Sequence, residues 1–309
     1  MYELAVQRIE AGQWLRLIVQ APAGTGKTYV EIALCIYCLV HRMKFNAAAP
    51  TGIAAGNIEA EGTDISASTL HRLFGLNFDA GSKLNFEDPN DPNVAKLLGM
   101  DVLLIDEASM IDRPFWNSIA DVLRMMPMSA RARESPHEAP DDLGRVHIIM
   151  FLDFKQLPPA TNHPTFLITP EVRKSFRFMT LNENRRVVDG GDERADEIND
   201  YHQVLMDVSL GKATDRVRKF FVQKFTEGAL TRAKQEPFEG STSLFAKRLY
   251  RDLWNKTIVQ RLAKETGHKL NVRAKCRGDN DKSRLASEQK WCSTITSVGQ
   301  MCLCARLSR

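Results

Sequence analysis

Ala21-Pro22-Ala23-Gly24-Thr25-Gly26-Lys27-Thr28 gathers the residue types that hold phosphate. Glycines let backbone N–H groups converge on one point, a lysine supplies a mobile positive charge, and a hydroxyl can ligate Mg²⁺. This chemistry needs a strand before the loop and a helix after it, so that the helix N-terminus adds its own positive end. Both flanks comply: the apolar run Leu15–Val19 leads in, and the helix-compatible run Val30–Val40 leads out. Ala21 stands where the pattern usually opens with glycine, a small exchange that keeps most of the room. The expected chemistry is binding of a nucleoside triphosphate, with Lys27 on the β- and γ-phosphates and Thr28 on Mg²⁺.

Two further stretches end an apolar run in polar groups. Val102-Leu103-Leu104-Ile105 is followed by Asp106-Glu107, which describes a buried strand delivering two carboxylates at its end. Asp106 is placed to hold the Mg²⁺ shell, and Glu107 to polarise an attacking water as general base. Phe151-Leu152 leads into Asp153-Phe154-Lys155-Gln156-Leu157-Pro158-Pro159, where Gln156 is placed to sense the γ-phosphate and the two prolines stiffen the loop behind it.

The elements that must position these groups can be read from the same pattern. Strand-like apolar runs recur at Leu15–Gln20, Phe45–Ala49, Asp101–Ile105, Val146–Leu152 and Phe178–Leu181. Continuous rather than alternating apolar character implies strands buried on both faces, hence a mostly parallel sheet flanked by helices, an α/β fold with ligands at the carboxyl ends of the strands. Asn77–Gly99 is polar and reads as a small insertion. Pro127–Gly144 has the Pro, Ser and charge content of a mobile loop, and Gly190-Gly191 is the best linker. Leu249–Thr266 reads as a long helix whose apolar stripe includes Leu253, Trp254, Ile258 and Leu262. Periodicity fades from Cys276 onward, leaving an irregular tail over 276–309.

Composition narrows the classes. With 309 residues, 43% apolar and 26% charged, the chain has room for two ordinary domains. No run of 18 apolar residues exists, so no membrane partner is expected, and no apolar signal core or other targeting segment is seen at the N-terminus. An intracellular, reducing compartment fits six cysteines in a chain this long. Cys35 and Cys38 fall in the helix after the loop, where core packing is the expected role; Cys276, Cys292, Cys302 and Cys304 do not make a credible zinc site. The net charge of +4 is unevenly spread: residues 1–199 carry 20 Lys and Arg against 27 Asp and Glu, residues 200–309 carry 22 against 11. The basic half suits a polyanion such as nucleic acid, or simply solvated helix faces; charge leaves both open.

Taken together, APAGTGKT, APTGIAAGNI (Ala49–Ile58), STLHRLFGL (Ser68–Leu76), LLIDEASMID (Leu103–Asp112), DFKQLPP (Asp153–Pro159) and LNENRR (Leu181–Arg186) resemble the ordered motifs of the Pif-one type of superfamily 1 DNA helicases, with RecD and TraA enzymes as more distant relatives. The resemblance spans roughly residues 5–190, and Leu244–Ala263 is similar to the opening of that family's second motor domain. It implies a RecA-like P-loop NTPase domain over 1–185, an incomplete second RecA-like lobe over 186–275, ATP and Mg²⁺ as cofactors, and ATP-driven 5′-to-3′ movement on single-stranded DNA, with tailed or structured duplex DNA as substrate. Roles in repair, recombination and telomere or organelle genome maintenance, in the nucleus or mitochondrion, would follow.

The resemblance also places roles residue by residue. Gln7 matches an adenine-reading glutamine, with Gln13 as a neighbour of the same type; Gly24, Thr25, Gly26, Lys27 and Thr28 match the phosphate cradle. Thr51 and Gly52, and Thr69 and His71, match two segments that contact single-stranded DNA. Arg186 matches an arginine approaching the γ-phosphate, with Arg185 beside it. Two departures accompany this. Leu152 stands where the family usually has glycine, a bulk that could displace Asp153 or Gln156. The late motifs T-x-H-x-x-Q-G and V-A-L-S-R are not found; Ala305–Arg309 only echoes the second. The alternative expectation is therefore a truncated, non-unwinding relative that binds single-stranded DNA under nucleotide control. A P-loop enzyme acting on small molecules would leave Ala49–Ile58 and Ser68–Leu76 unexplained.

Overall fold

A computed structural model describes residues 1–183, apart from 61, 64, 78–80, 83, 85, 89 and 140, together with 194–224 and 248–266. The chain divides into two compact units, the first spanning Met1–Val217 and the second starting at Arg218. Arg185, Arg186, the Gly190-Gly191 linker and the four cysteines of the tail lie outside the described residues.

The first unit is built on β1 (Arg16–Gln20), β2 (Phe45–Ala49), β3 (Ala67–Thr69), β6 (Val102–Ile105), β7 (His147–Leu152) and β8 (Arg177–Thr180), with a separate antiparallel pair, β4 (Leu76–Asn77) and β5 (Gly81–Ser82). The six strands run parallel in the order β3-β2-β6-β7-β1-β8. Five coincide with the expected apolar runs to within one residue. The sixth, β3, has only Ala67-Ser68-Thr69; no apolar run announces it, and pairing with β2 (Ala47 opposite Ala67, Ala49 opposite Thr69) fixes its place.

Helices cover both faces, as buried strands require. The helices of the first unit are α1 (Tyr2–Glu10), α2 (Lys27–Val40), α3 (Gly52–Gly56), α4 (Leu70–Leu73), α5 (Pro92–Leu97), α6 (Arg113–Met125), α7 (Ala130–Glu134), α8 (Pro170–Ser175) and α9 (Arg194–Ser209), with α2 and α6 on opposite faces of the sheet; α10 (Asp215–Lys224) begins in the first unit and ends in the second, which also carries α11 (Arg248–Thr266). Every residue of β6 and β7 is buried. Alternate side chains feed two cores: Leu103, Ile105, Ile148 and Met150 meet Trp116, Ile119 and Leu123 of α6, while Leu104, Ile149, Phe151 and Val19 meet Leu34, Cys35 and Cys38 of α2. Burial pushes both of those thiols up to about 12, so they remain protonated packing groups. Among the described residues no helix is long and apolar enough to cross a membrane.

The two stretches expected to stand apart from the core are tied into it. Asn77–Gly99 contains α5, capped by Asp91, whose carboxylate accepts the N–H groups of Asn93 and Val94 at 2.7 and 3.4 Å. Leu97 and Met100 behind it are fully buried. The Pro- and charge-rich stretch 127–144, expected as a loop that moves, is fastened at both ends. Near its start Ser129 caps α7 and donates its hydroxyl to Asp101 at 2.6 Å. Near its end Asp141 meets Arg16 of β1 at 2.9 Å with both side chains buried, while Arg16 also donates to the carbonyls of Gly144, at 2.7 Å, and Val146. Local composition signals a loop; these partners, more than a hundred residues away in sequence in the case of Arg16, are what hold it.

His147 opens β7 and closes this corner, its Nδ1 accepting the Leu15 N–H at 3.1 Å. Burial first, and the nearby Arg16 charge second, lower its pKa to about 4. Between pH 6.5 and 4 the unfolded chain therefore takes up a proton that the folded chain refuses. The contribution is intact above 6.5 and is lost as pH falls toward 4, by up to about 3 kcal/mol. Urea unfolding at pH 7 and at pH 4.5 checks this: His147→Gln, whose side-chain oxygen can still accept the Leu15 N–H, is expected to lose clearly less stability over that interval than the wild type.

Candidate nucleotide and DNA site

Because every strand of the sheet runs the same way, all the motif loops emerge on one edge. The loop after β1 reaches α2 through Gly24 and Gly26, with φ of +86° and +81°. Side chains other than glycine rarely adopt that region, which explains the glycines at these two positions. Thr25 is held inside the loop by donating its hydroxyl to the Pro22 carbonyl at 2.8 Å. Gly26 is the N-cap of α2 and no side chain caps that helix, so its first-turn N–H groups face the loop. Thr28 is the second residue of the helix, half-buried beside them.

Lys27 crosses the end of β7 to reach the loop after β6. Its Nζ lies 2.7 Å from Asp106 Oδ1 and 2.6 Å from Glu107 Oε1. Burial alone would lower the Lys27 pKa, but the two carboxylates outweigh it and hold the ammonium above its ordinary value. Asp106 is almost fully buried and fixed from both sides: its N–H donates to Ala48 of β2 at 2.9 Å, and its Oδ1 accepts the Glu107 N–H at 2.6 Å. Glu107 sits at φ +51°, a left-handed conformation uncommon outside glycine and one that clusters at functional sites. An uncapped helix N-terminus, a lysine and two carboxylates on one strand edge fit a Mg²⁺–nucleotide by the chemistry of their donors. Lys27 and the α2 N–H groups would hold the phosphates, and Thr28 with Asp106 the metal.

The third loop departs from the expected disturbance. Leu152 is fully buried in the core and its carbonyl accepts the Ala21 N–H at 2.8 Å, so its bulk is absorbed by the sheet. Asp153 stays buried, its Oδ1 accepting from Gln20 Nε2 at 2.9 Å and from the Lys155 N–H at 3.0 Å, while Gln20 Oε1 accepts the Phe154 N–H at 3.0 Å. Gln20 thus clasps this loop to the last residue of β1, a role the sequence marks only by a lone amide closing an apolar run. Gln156 is exposed, with its N–H on the Asp153 carbonyl at 3.0 Å. Gln7 is likewise exposed, on α1, whereas Gln13 accepts from Arg8 at 3.2 Å.

On the far side of β6, the edge continues with β2 and β3. Thr51 caps α3 by accepting the Ala54 N–H at 3.2 Å, and Thr69 caps α4 by accepting the Arg72 N–H at 3.3 Å. Each hydroxyl therefore keeps its proton for an outside acceptor. A Cβ added at Gly52 would meet nothing within 4 Å, so backbone is open to approach there. His71 is stacked on Phe115, ring centroids 4.2 Å apart, and burial lowers its pKa, so it presents a neutral ring. A residue that sequence reasoning passed over completes the site. Glu31, one turn after Lys27 on α2, is 1% exposed, and burial, then the Asp106 charge, push its pKa up to about 9.

A model of the PIF1-like helicase family matches residues 1–219. The chain belongs to that family. It is 33% identical over 159 residues to the ATP-dependent DNA helicase Pif1 of Bdellovibrio bacteriovorus, a stretch covering 49% of this chain and 32% of that protein. Against the ATP-dependent DNA helicase Pif1 of Psychrobacter sp. it is 26% identical over 270 residues, 84% of this chain and 36% of the relative. The crystal structure of Pif1 helicase from Candida albicans shares the fold, with a TM-score of 0.58 at 21% identity over 84% of this chain and 53% of that one. So does Pif1 helicase from Bacteroides in complex with ADP-AlF3 and ssDNA, with a TM-score of 0.53 at 20% identity over 89% and 60%. The chain thus spans about a third of the length of these two curated relatives. Its α/β, mostly parallel sheet is that of the family's RecA-like structures.

Proposed function

We propose that this chain is the nucleotide-binding motor domain of an ATP-dependent DNA helicase, coupling ATP hydrolysis to movement on single-stranded DNA. The observation that carries the reading is the meeting of Lys27, Asp106 and Glu107 within 2.7 Å across the carboxyl edge of a parallel sheet. Lys27 would bind the β- and γ-phosphates, Asp106 and Thr28 would hold Mg²⁺, and Glu107 would take the proton of the attacking water. Bound Mg²⁺ would offset phosphate charge; orientation and proton transfer fall to the protein. Gln7 would read the adenine, Gln156 would report the γ-phosphate, and Arg186 would stabilise its charge. Repair and telomere or organelle genome maintenance, in nucleus or mitochondrion, are the roles such an activity would serve.

Thr51, Gly52, Thr69 and His71 would form the strand-binding side. β2 ends beside β6, and the Asp106 N–H is bonded to Ala48, three residues before Thr51, so one sheet edge joins the nucleotide loop to the DNA loop. Phosphate contacts make binding steeply salt-dependent. A labelled single strand titrated with the chain is expected to lose about tenfold or more in affinity between 50 and 200 mM salt, and more weakly bound complexes are expected for Thr51→Val with Thr69→Val. Affinity flat over that range would count against the track. Salt-dependent binding that responds to nucleotide without any turnover would favour a nucleotide-gated binder instead.

A further inference from the structure

Asp112 ends the motif that carries Asp106 and Glu107, and the hydrolysis scheme gives it no part. It is 8% exposed, and both of its carboxyl oxygens are committed. Oδ1 accepts the Phe115 N–H at 2.8 Å and so caps α6, while Oδ2 accepts the Thr161 hydroxyl at 2.6 Å, a short bond of the strong kind that a carboxylate accepts. Two more bonds knit the same two segments: the Arg113 N–H donates to the Pro164 carbonyl at 3.0 Å, and the Thr165 hydroxyl to the Ile111 carbonyl at 3.2 Å. Three parts of the site meet here. Phe115, whose N–H Asp112 holds, is the ring on which His71 of the strand-binding side is stacked. Thr161 lies on the loop that carries Gln156; Pro158 and Pro159 stand between the two, and their fixed φ leaves that span little freedom to absorb a displacement. Behind Asp112, the single turn Ala108–Met110 leads back to Glu107, whose carbonyl accepts the Met110 N–H at 3.0 Å.

We propose that Asp112 is a positioning residue that carries strand occupancy at His71, through Phe115 and Thr161, to the loop of Gln156. A strand seated on His71 bears on Phe115, the cap of α6 passes the shift to Asp112, and the Thr161 hydroxyl draws Gln156 into line with the γ-phosphate. This deepens the DNA-coupled hydrolysis proposed above and rests on it. A connected route is a coupling only if breaking it uncouples the two sites.

Thr161→Val keeps the shape of the side chain and the cap on Phe115 but removes the hydroxyl, whereas Thr161→Ser keeps the hydroxyl. In ATP hydrolysis with and without a thymidine oligonucleotide, the valine variant is expected to keep basal turnover within about twofold and to lose about fivefold of the strand's stimulation of kcat, and the serine variant to regain it. Phe115→Leu, which removes the ring and keeps the N–H, is expected to cost a similar factor and to add little when combined with Thr161→Val. A valine variant stimulated as strongly as the wild type, or losses that multiply in the double variant, overturns the proposal; a bond that merely holds the loop would lower stability and leave the stimulation unchanged. Amide exchange over residues 153–165 reads the same link without turnover. The oligonucleotide is expected to slow it in the wild type and the serine variant but not in the valine variant; equal slowing in all three, or none in the wild type, also overturns the proposal. Slowed exchange in a wild-type chain that hydrolyses nothing would sink the hydrolase reading alone, and a chain that binds no strand would sink both.

Discussion

Glu107→Gln is expected to lower ATP turnover by about 10²- to 10⁴-fold while nucleotide affinity stays within a few-fold of the wild type. The amide has the shape of the carboxylate and tolerates the same φ of +51°, so the loop keeps its path. Lys27 keeps Asp106 at 2.7 Å, so the charge that holds the phosphates is retained. What disappears is the ability to accept a proton. Of the two acids on this loop, Glu107 is the one with access to an attacking water: its side chain is 19% exposed against 4% for Asp106. Single-turnover hydrolysis beside fluorescent-nucleotide binding separates the two effects. Equal turnover in both proteins would remove Glu107 from the chemistry.

The second large effect falls on stability, far from the nucleotide. Asp141→Ala is expected to destabilise the first unit by about 3–5 kcal/mol, because it strands the buried Arg16 charge. Against the 5–15 kcal/mol typical of a folded domain, that is a substantial fraction. Arg16 donates from Nε and Nη2 to the two Asp141 carboxylate oxygens, each at 2.9 Å, and without them keeps only the carbonyls of Gly144 and Val146 as acceptors. The paired substitution Arg16→Met with Asp141→Leu removes both charges and is expected to recover most of the loss. Urea unfolding of the three proteins tests this; an Asp141→Ala chain as stable as the wild type would show that the pair does not fasten the 127–144 segment.

Much of the site was legible because its chemistry is local in sequence. A phosphate loop needs its glycines, lysine and hydroxyl within eight residues, and the apolar runs before Gly24 and Asp106 identify the strands that carry them. The parallel sheet followed from runs such as His147–Leu152, where burial on both faces leaves no alternation. What sequence could not supply depends on partners distant along the chain. The Arg16–Asp141 pair joins residues 125 positions apart, so composition alone made 127–144 look free. β3 is too short and polar to announce itself without β2 beside it. Glu31 was missed for a different reason: an acid in a helix next to a lysine four residues back reads as an exposed ion pair, yet here the lysine turns to Asp106 and Glu107 and the acid turns inward. Leu152 shows the reverse, a residue that looked disruptive and is absorbed by the core.

DNA-coupled ATP hydrolysis by the purified chain, measured with and without single-stranded DNA beside Lys27→Ala, is the most direct test of the proposed motor. Hydrolysis that rises with DNA in the wild type and falls to the blank in the variant is the predicted result. Turnover in Lys27→Ala equal to that of the wild type, or wild-type turnover indifferent to DNA, would contradict it.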